Sequence, residues 1–456
     1  MRLTGFPLFV ASSLLCGLSA GAATRPHYGG TLHIAMRTAP ASLDPAEDSN
    51  HADWFESRNL FSLMFDTLVS LDEQGKPEPA LASSWQVEPG NQRWQFFVRQ
   101  GVTFEDETPV TPDAVAASLR KTNPGWKVFV DGEAVVIERD SPAPDLPAEL
   151  SLPRNSILRR EGGKISGSGP FAVSHWDPGK KLALKARDDY WGGRPFLDAI
   201  EIEMGKSFQE QMISSDLGKA QVIEVAPERA RRAVAEGRSV ESSAPIELTA
   251  LVFSREPQSP EDAHQRQAFA LCIDRDLLNT VVLQGGGEPA GGLLPNWMSG
   301  YGFLFPAAMN LELARQVRGE IPHTTSWTLS YDPTDATARV IAERIVLNAR
   351  DAGLGVQITS TSRTDMRIVR IPLVSLNPEI ALDGVAAELG FPSIKLRSGA
   401  ADDLYGAENK LLQSQRVIPL LHLRMPYGVS NTVKNWRTAR DGSWRLPNIW
   451  LVANKP

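Results

Sequence analysis

Chemistry in this chain would have to come from histidine, cysteine, serine or carboxylate groups held at fixed spacing, and few such spacings occur. The seven histidines, His27, His33, His51, His175, His264, His323 and His422, form no His-x-His or His-x-x-x-His pair. That offers no sequence-local zinc site, because a tetrahedral ion is usually built from closely spaced His and Cys ligands. No Gly-x-Ser-x-Gly elbow occurs, and Gly167-Ser168-Gly169-Pro170 lacks the spacing that exposes a serine nucleophile on a strand-to-helix turn. Ser168 therefore reads as a turn residue. Gly285-x-Gly287-x-x-Ala290 fits the letters of a dinucleotide fingerprint, but it follows a predicted helix and contains Pro289, whereas that motif works between a strand and a helix. Arg229, Arg231 and Arg232 read as a solvated helix face, with docking to a transporter as the sharper alternative. No catalytic residue, metal site or cofactor is expected, so the chain is read as non-catalytic.

The elements around these residues must then serve binding or scaffolding. With 456 residues, 42% apolar and 22% charged, the chain is long enough for two large lobes, each with its own core. A formal charge of -7 and a pI near 5.7 argue against nucleic-acid and anionic-membrane partners, which need a basic face to displace counterions. Residues 1–23, MRLTGFPLFVASSLLCGLSAGAA, have a charged start, a broken apolar run and a small-residue cleavage pattern. They are read as a signal peptide that sends the protein to the periplasm. Lipidation at Cys16 is disfavoured because bulky Leu15 precedes it. Cys272, between Leu271 and Ile273, reads as a buried structural thiol.

Hydrophobic period and punctuation place the elements. Thr31–Met36 reads as a strand, and residues 56–70 as a helix whose inner face holds Leu60, Leu63, Met64 and Leu68. Strands are predicted at Trp94–Val98 and Val102–Phe104, followed by a helix that Thr111 caps and Pro112 opens. Lys127–Arg139 around Asp131-Gly132 carries a strong hairpin signal. A second antiparallel pair is predicted at Phe171–Trp176 and Leu182–Ala186. Beyond a strand at Leu248–Phe253 come a polar loop, Arg255–Asp262, and helices at Gln265–Cys272 and Asp274–Leu283, with a loop from Leu293. Residues 327–359 form a strand, an Asp335-led helix and a second strand, which implies a parallel crossover.

Four ordered stretches resemble the family 5 extracellular solute-binding proteins, the peptide- and nickel-binding class that serves ABC importers. They are Gly29–Pro45 (GGTLHIAMRTAPASLDP), Leu60–Arg120 with its PALASSW element and RQGVTF strand end, Gly167–Ile202 (GSGPFAV to DDYWGGRPFLDAIEI), and Arg266–Pro295 (RQAFALCIDRD to GGGEPAGGLLP). The chain departs from the family between Thr359 and Leu404, where the aromatic, Asp-Pro-rich segment is missing. It also departs at Ser254, which replaces an Asn of the hinge strand, and at Phe171, which replaces a Tyr.

The resemblance implies an α/β, two-lobe hinged periplasmic-binding-protein fold of the class II, cluster C type. Lobe I would span residues 24–245, with an extra α+β subdomain over about 48–160; lobe II would span 246–424; residues 425–456 would return to lobe I. It further implies capture of a small, peptide-like ligand by a monomer and delivery to an ABC permease, with Ser42, Ser254, Trp297, Tyr301 and His422 as ligand contacts. The competing readings are a degenerate scaffold with a structural or regulatory role, and a secreted hydrolase.

Overall fold

The computed structural model describes residues 26–47, 55–361, 363–394 and 401–452; the signal segment with Cys16, and His51, lie outside the described residues. Among the described residues eleven strands join in one large sheet. Along the chain they are β1 (Thr31–Ala35), β2 (Phe171–Asp177), β3 (Lys181–Ala186), β4 (Ala199–Glu203), β5 (Val222–Glu224), β6 (Ser239–Phe253), β7 (Gly287–Pro289), β8 (Trp327–Ser330), β9 (Val356–Ile358), β10 (Met366–Pro372) and β11 (Val417–Val429). Side by side the order is β2-β3-β4-β1-β5-β11-β6-β10-β8-β9, with β7 added to β11.

Two strands carry the chain between lobes. β6 has 15 residues and β11 has 13, and they pair antiparallel from Ser239 opposite Val429 to Val252 opposite Val417. One end of β11 pairs with β5, while β6 also pairs with β10 through Glu247–Phe253. β1 runs parallel to both β4 and β5, and β8 runs parallel to β9 and β10. The predicted crossover through Asp335 is thus present. Asp335 caps the Ala336–Asp351 helix by accepting the N–H groups of Thr337 at 2.9 Å and Ala338 at 3.0 Å, satisfying donors that the first helical turn leaves free.

Each lobe has a core. Leu32, Ile34, Leu182 and Ile200 pack with Leu60 and Phe61, and with Tyr427, Trp436 and Trp444 from the C-terminal end. In the other lobe successive residues of β6 feed opposite faces, as a two-residue period requires. Leu251 and Phe253 join Phe269, Trp327 and Ile341 on one side, while Leu248, Ala250 and Val252 join Leu373, Leu382 and Val385 on the other. A smaller antiparallel sheet, ordered Ala82–Val87, Arg93–Val98, Ala134–Glu138, Lys127–Asp131, has its own core of Trp94, Phe96, Val115, Leu119, Val135 and Ile137. The Asp131-Gly132 hairpin closes with Asp131 opposite Ala134 and Gly132 at φ +59°. Thr111 caps the Pro112–Thr122 helix.

Several elements differ from expectation for physical reasons. The helix predicted over 56–70 spans Phe55–Met64. Gly169 N–H donates to the Met64 carbonyl at 2.9 Å, and a Cβ on Gly167 would lie 1.9 Å from that oxygen, so a crossing segment takes the place of the next turn. Leu68 is still buried, but from extended chain leading into the Val69–Leu71 strand. The stretch Arg255–Asp262 is only partly loop: Ser259 Oγ accepts the Asp262 N–H at 3.2 Å, and the helix begins at Pro260. Val102–Phe104 makes a single bridge, Thr103 to Pro109, in place of a strand. A short helix, Asn296–Ser299, stands where a loop was predicted.

Candidate functional site

A cleft of about 740 Å³ opens between the lobes. One wall comes from chain that has just left β1, β4 and β5, giving Arg37, Gly205–Phe208 and Pro227-Glu228. The facing wall is Asp332–Ala338 after β8, with Ile368–Arg370 of β10; Glu247 of β6 and Met425 of β11 are shared floor. Carboxyl ends of parallel strands are where open α/β sheets bind ligands, because neighbouring connections diverge there and leave a crevice.

The side chains are held firmly. The Arg37 backbone N–H donates to Glu224 Oε2 at 2.7 Å, and the buried Glu224 also accepts from Gln211 Nε2 at 3.0 Å. Burial pushes the Glu224 carboxyl upward. The Arg37 guanidinium lies 4.6 Å from the centre of the Phe208 ring, a cation–π contact. Phe208 is itself fixed by a reciprocal capping box between Ser207 and Glu210 at the start of its helix.

On the facing wall Arg370 Nε stands 2.9 Å from Asp335 Oδ2, and Nη1 stands 3.8 Å from Glu247 Oε2. Burial alone would lower the Arg370 guanidinium, but Glu247, Asp335, Glu228 and Asp332 outweigh it and keep it charged. Asp332 receives the N–H and hydroxyl of Thr334 at 2.9 and 2.7 Å. Those bonds, with Arg37 and Arg370 nearby, hold its carboxyl below the usual range, so it is ionised. Arg370 is therefore matched by Asp335 on its own wall and Glu247 on the floor. Among the described residues Arg37 makes no ion pair, so its guanidinium is left to face the cleft opposite ionised Asp332.

The five sequence-predicted contacts lie elsewhere, and none of them lines this cleft. Ser42 Oγ accepts the Asp44 N–H at 3.0 Å and donates to Glu47 at 2.6 Å, tightening a loop that Arg160 also grips through Asp44. Ser254 follows the end of β6, where its N–H donates to the Asp365 carbonyl. Tyr301 is buried and donates to Glu408 at 2.8 Å, with its ring against Phe305 and Tyr405. His422 is enclosed in β11, its Nε2 3.0 Å from the Leu293 carbonyl, and burial pushes the imidazole down to about 4. Trp297 donates to the Pro245 carbonyl at 2.9 Å and lines a separate, smaller cavity.

The cleft residues Arg37, Lys206, Phe208, Asp332, Asp335 and Arg370 were missed by sequence reasoning. A signal existed for two of the loops, since Arg37 and Asp332 come shortly after the predicted strands at Thr31 and Trp327. Which strand ends share one crevice is decided by sheet order, which the sequence does not display. Cys272 is buried, its thiol 3.2 Å from the Phe269 carbonyl and pushed up to about 12 by burial. Among the described residues no group of three or more His, Cys, Asp or Glu could hold a metal ion, and no helix is long and apolar enough to cross a membrane.

Two mixed α/β lobes joined by crossing strands, with a charged crevice at the strand ends, define the periplasmic-binding-protein class. Residues 76–370 match the bacterial extracellular solute-binding proteins, family 5 (middle), and the chain belongs to that family. It is 36% identical over 177 residues to the uncharacterized protein YhjP of Bacillus subtilis, covering 35% of this chain and 30% of the relative. It is 22% identical to the oligopeptide-binding protein AppA of the same organism, covering 59% of this chain and 54% of the relative. The matched part thus spans less than two thirds of either relative. Among solved structures, the periplasmic binding protein DppA of Helicobacter pylori in complex with peptide STSA superposes with a TM-score of 0.76 at 17% identity, covering 93% of this chain and 99% of that one.

Proposed function

We propose that this protein is the substrate-binding component of an ABC importer, capturing a short peptide-like ligand in the interlobe cleft and delivering it to the permease. The observation that carries this reading is the charge facing across the cleft: Arg37, which makes no ion pair among the described residues, stands on one wall beside Glu228 and a Lys206 that is 3.6 Å from Glu203, and ionised Asp332 stands on the other. A zwitterion with a carboxylate at one end and an ammonium at the other fits such a pair of walls, because each charge meets its opposite in a partly desolvated crevice. The oligopeptide-binding relative and the peptide-bound structural neighbour support the peptide class. The protein works in the periplasm as a monomer and makes no covalent change to its ligand.

Function then follows from differential contact. A ligand touching both walls stabilises the closed arrangement over the open one, and the closed form is what the permease reads. Moving such an equilibrium from 1:99 to 99:1 takes about 5.5 kcal/mol of differential binding, within reach of two charge-assisted hydrogen-bond sets at about 1.5–3 kcal/mol per bond. The lobe boundaries proposed with this mechanism are residues 24–245 and 246–424, with 425–456 returning to the first lobe.

Native mass spectrometry of protein purified from its own periplasm, followed by thermal shifts with dipeptides, tripeptides, nickel complexes and sugars, tests the reading. Di- or tripeptides are expected to raise the melting temperature and sugars to leave it unchanged. If nothing co-purifies and no probe raises it, the transport role falls; a shift with sugars alone removes the peptide assignment.

A further inference from the structure

Neighbouring residues of β11 line different cavities. Met425 faces the interlobe cleft, while Arg424 faces a second cavity of about 340 Å³. Adjacent side chains of a strand point to opposite faces, so the second cavity lies behind the crossing strands, across the hinge from the ligand cleft. It sits where the ladder between β6 and β11 is irregular: the register shifts between Ser242 and Pro245 and again before Glu247.

The backbone groups freed by that irregularity are taken up from both lobes. Ser243 Oγ accepts the Met425 N–H at 2.9 Å. Ala244 N–H donates to the Arg440 carbonyl at 3.1 Å, from the C-terminal segment whose Trp436 and Trp444 pack in the first core. The Pro245 carbonyl accepts Trp297 Nε1–H at 2.9 Å, from the segment whose Leu293, Leu294 and Tyr301 pack in the other lobe. The cavity therefore has one wall from each lobe.

Its free chemistry is specific. Arg424 is already paired with Glu288 at 2.5 Å. The Arg440 guanidinium lies 5.6 Å from the centre of the Trp297 ring and makes no ion pair among the described residues. The indole N–H is spent on Pro245, and the ring face beneath the Arg440 guanidinium is held at the loose end of cation–π distance, so a flat group can share that face with the cation. Around these stand the hydroxyl-bearing Ser242, Ser243 and Thr438. The balance is a cation without an ion partner among the described residues, lying over an indole ring, in a volume at the small end of ligand pockets.

We propose that this back-of-hinge cavity is a second binding site, for a small planar carboxylate whose anionic group pairs with Arg440 and whose flat body lies on Trp297. An Arg–carboxylate pair gives directional hydrogen bonds, and the ring face supplies apolar contact without hydrogen-bonding demand. An occupant bridges the two lobes, so its binding is linked to the hinge angle and, reciprocally, to occupancy of the front cleft. The assignment does not depend on what the front cleft carries.

Benzoate is the probe, with neutral benzamide as control, read by the indole N–H resonance that Trp297→Phe identifies. The expected result is a saturable shift of that resonance with millimolar benzoate and none with benzamide. Arg440→Gln, at an exposed position, abolishes the shift, while Arg37→Gln in the front cleft leaves it intact. No shift with benzoate, an equal shift with benzamide, or a shift that survives Arg440→Gln overturns the proposal. Loss of the shift in Arg37→Gln alone places benzoate in the front cleft and overturns it equally.

Discussion

Arg37 and His422 show how a single residue's surroundings decide its use. Arg37 is exposed, stacked on Phe208 and without an ion partner among the described residues, so it is presented to the cleft. Replacing it by Gln removes a charge-assisted contact worth about 1.5–3 kcal/mol, a tenfold to hundredfold loss in affinity for the di- or tripeptide that gives the largest thermal shift. Titration calorimetry checks this, and unchanged affinity takes Arg37 out of the site. His422 is the opposite case, a histidine whose protonation the fold resists. Its folded value near 4 lies below the usual 6.5, so the unfolded chain takes up a proton first as pH falls through that window. The stability held above pH 6.5 is therefore lost progressively toward pH 4, by about 3 kcal/mol at most. Urea unfolding of the native chain and His422→Gln at pH 7 and pH 4.5 tests the sign: the variant's stability is expected to fall less on acidification. The apolar neighbours Leu420, Leu421 and Leu423 were visible in the sequence. That β6 and β7 close over both edges of this part of β11 was not, because pairing partners come from distant segments.

At the scale of elements, local signals held where the chain's own chemistry is sufficient and failed where another segment intrudes. Thr111, Ser259 and Asp335 cap helices through bonds spanning two or three residues. Such caps are written locally, and Thr111→Ala should cost about 1 kcal/mol in denaturant unfolding. The early end of the Phe55–Met64 helix is different in kind. It depends on Gly167 and Gly169, a hundred residues downstream, passing close against the Met64 carbonyl. Gly167→Ala places a methyl into that oxygen and should destabilise the fold by about 3 kcal/mol, whereas the same change at exposed Gly125, where a Cβ meets nothing within 4 Å, should be nearly silent. Equal stability of the two variants would show that the close approach is not essential.

For the whole molecule, β6 and β11 make the hinge a pair of continuous strands with an irregular register at Ser242–Glu247, a place where bending disturbs few regular ladder bonds. Small-angle scattering should show a smaller radius of gyration when a bound peptide draws the walls together, and Arg37→Gln should blunt that change; an unchanged radius at saturating peptide argues against closure. By itself the sequence determined the class of protein: four ordered motifs, the alternating and helical hydrophobic patterns and the caps are properties of neighbouring residues. It also determined that Cys272 would be buried, through its apolar flanks. The tertiary structure alone decided the site. Arg37, Phe208, Asp332 and Arg370 are brought to one cleft by sheet order and by two strands that cross between lobes, while Tyr301 and His422 are bonded to buried partners and Trp297 lines a separate cavity. Pairing across hundreds of residues follows from the packing free energy of the entire chain, to which no local spacing has access.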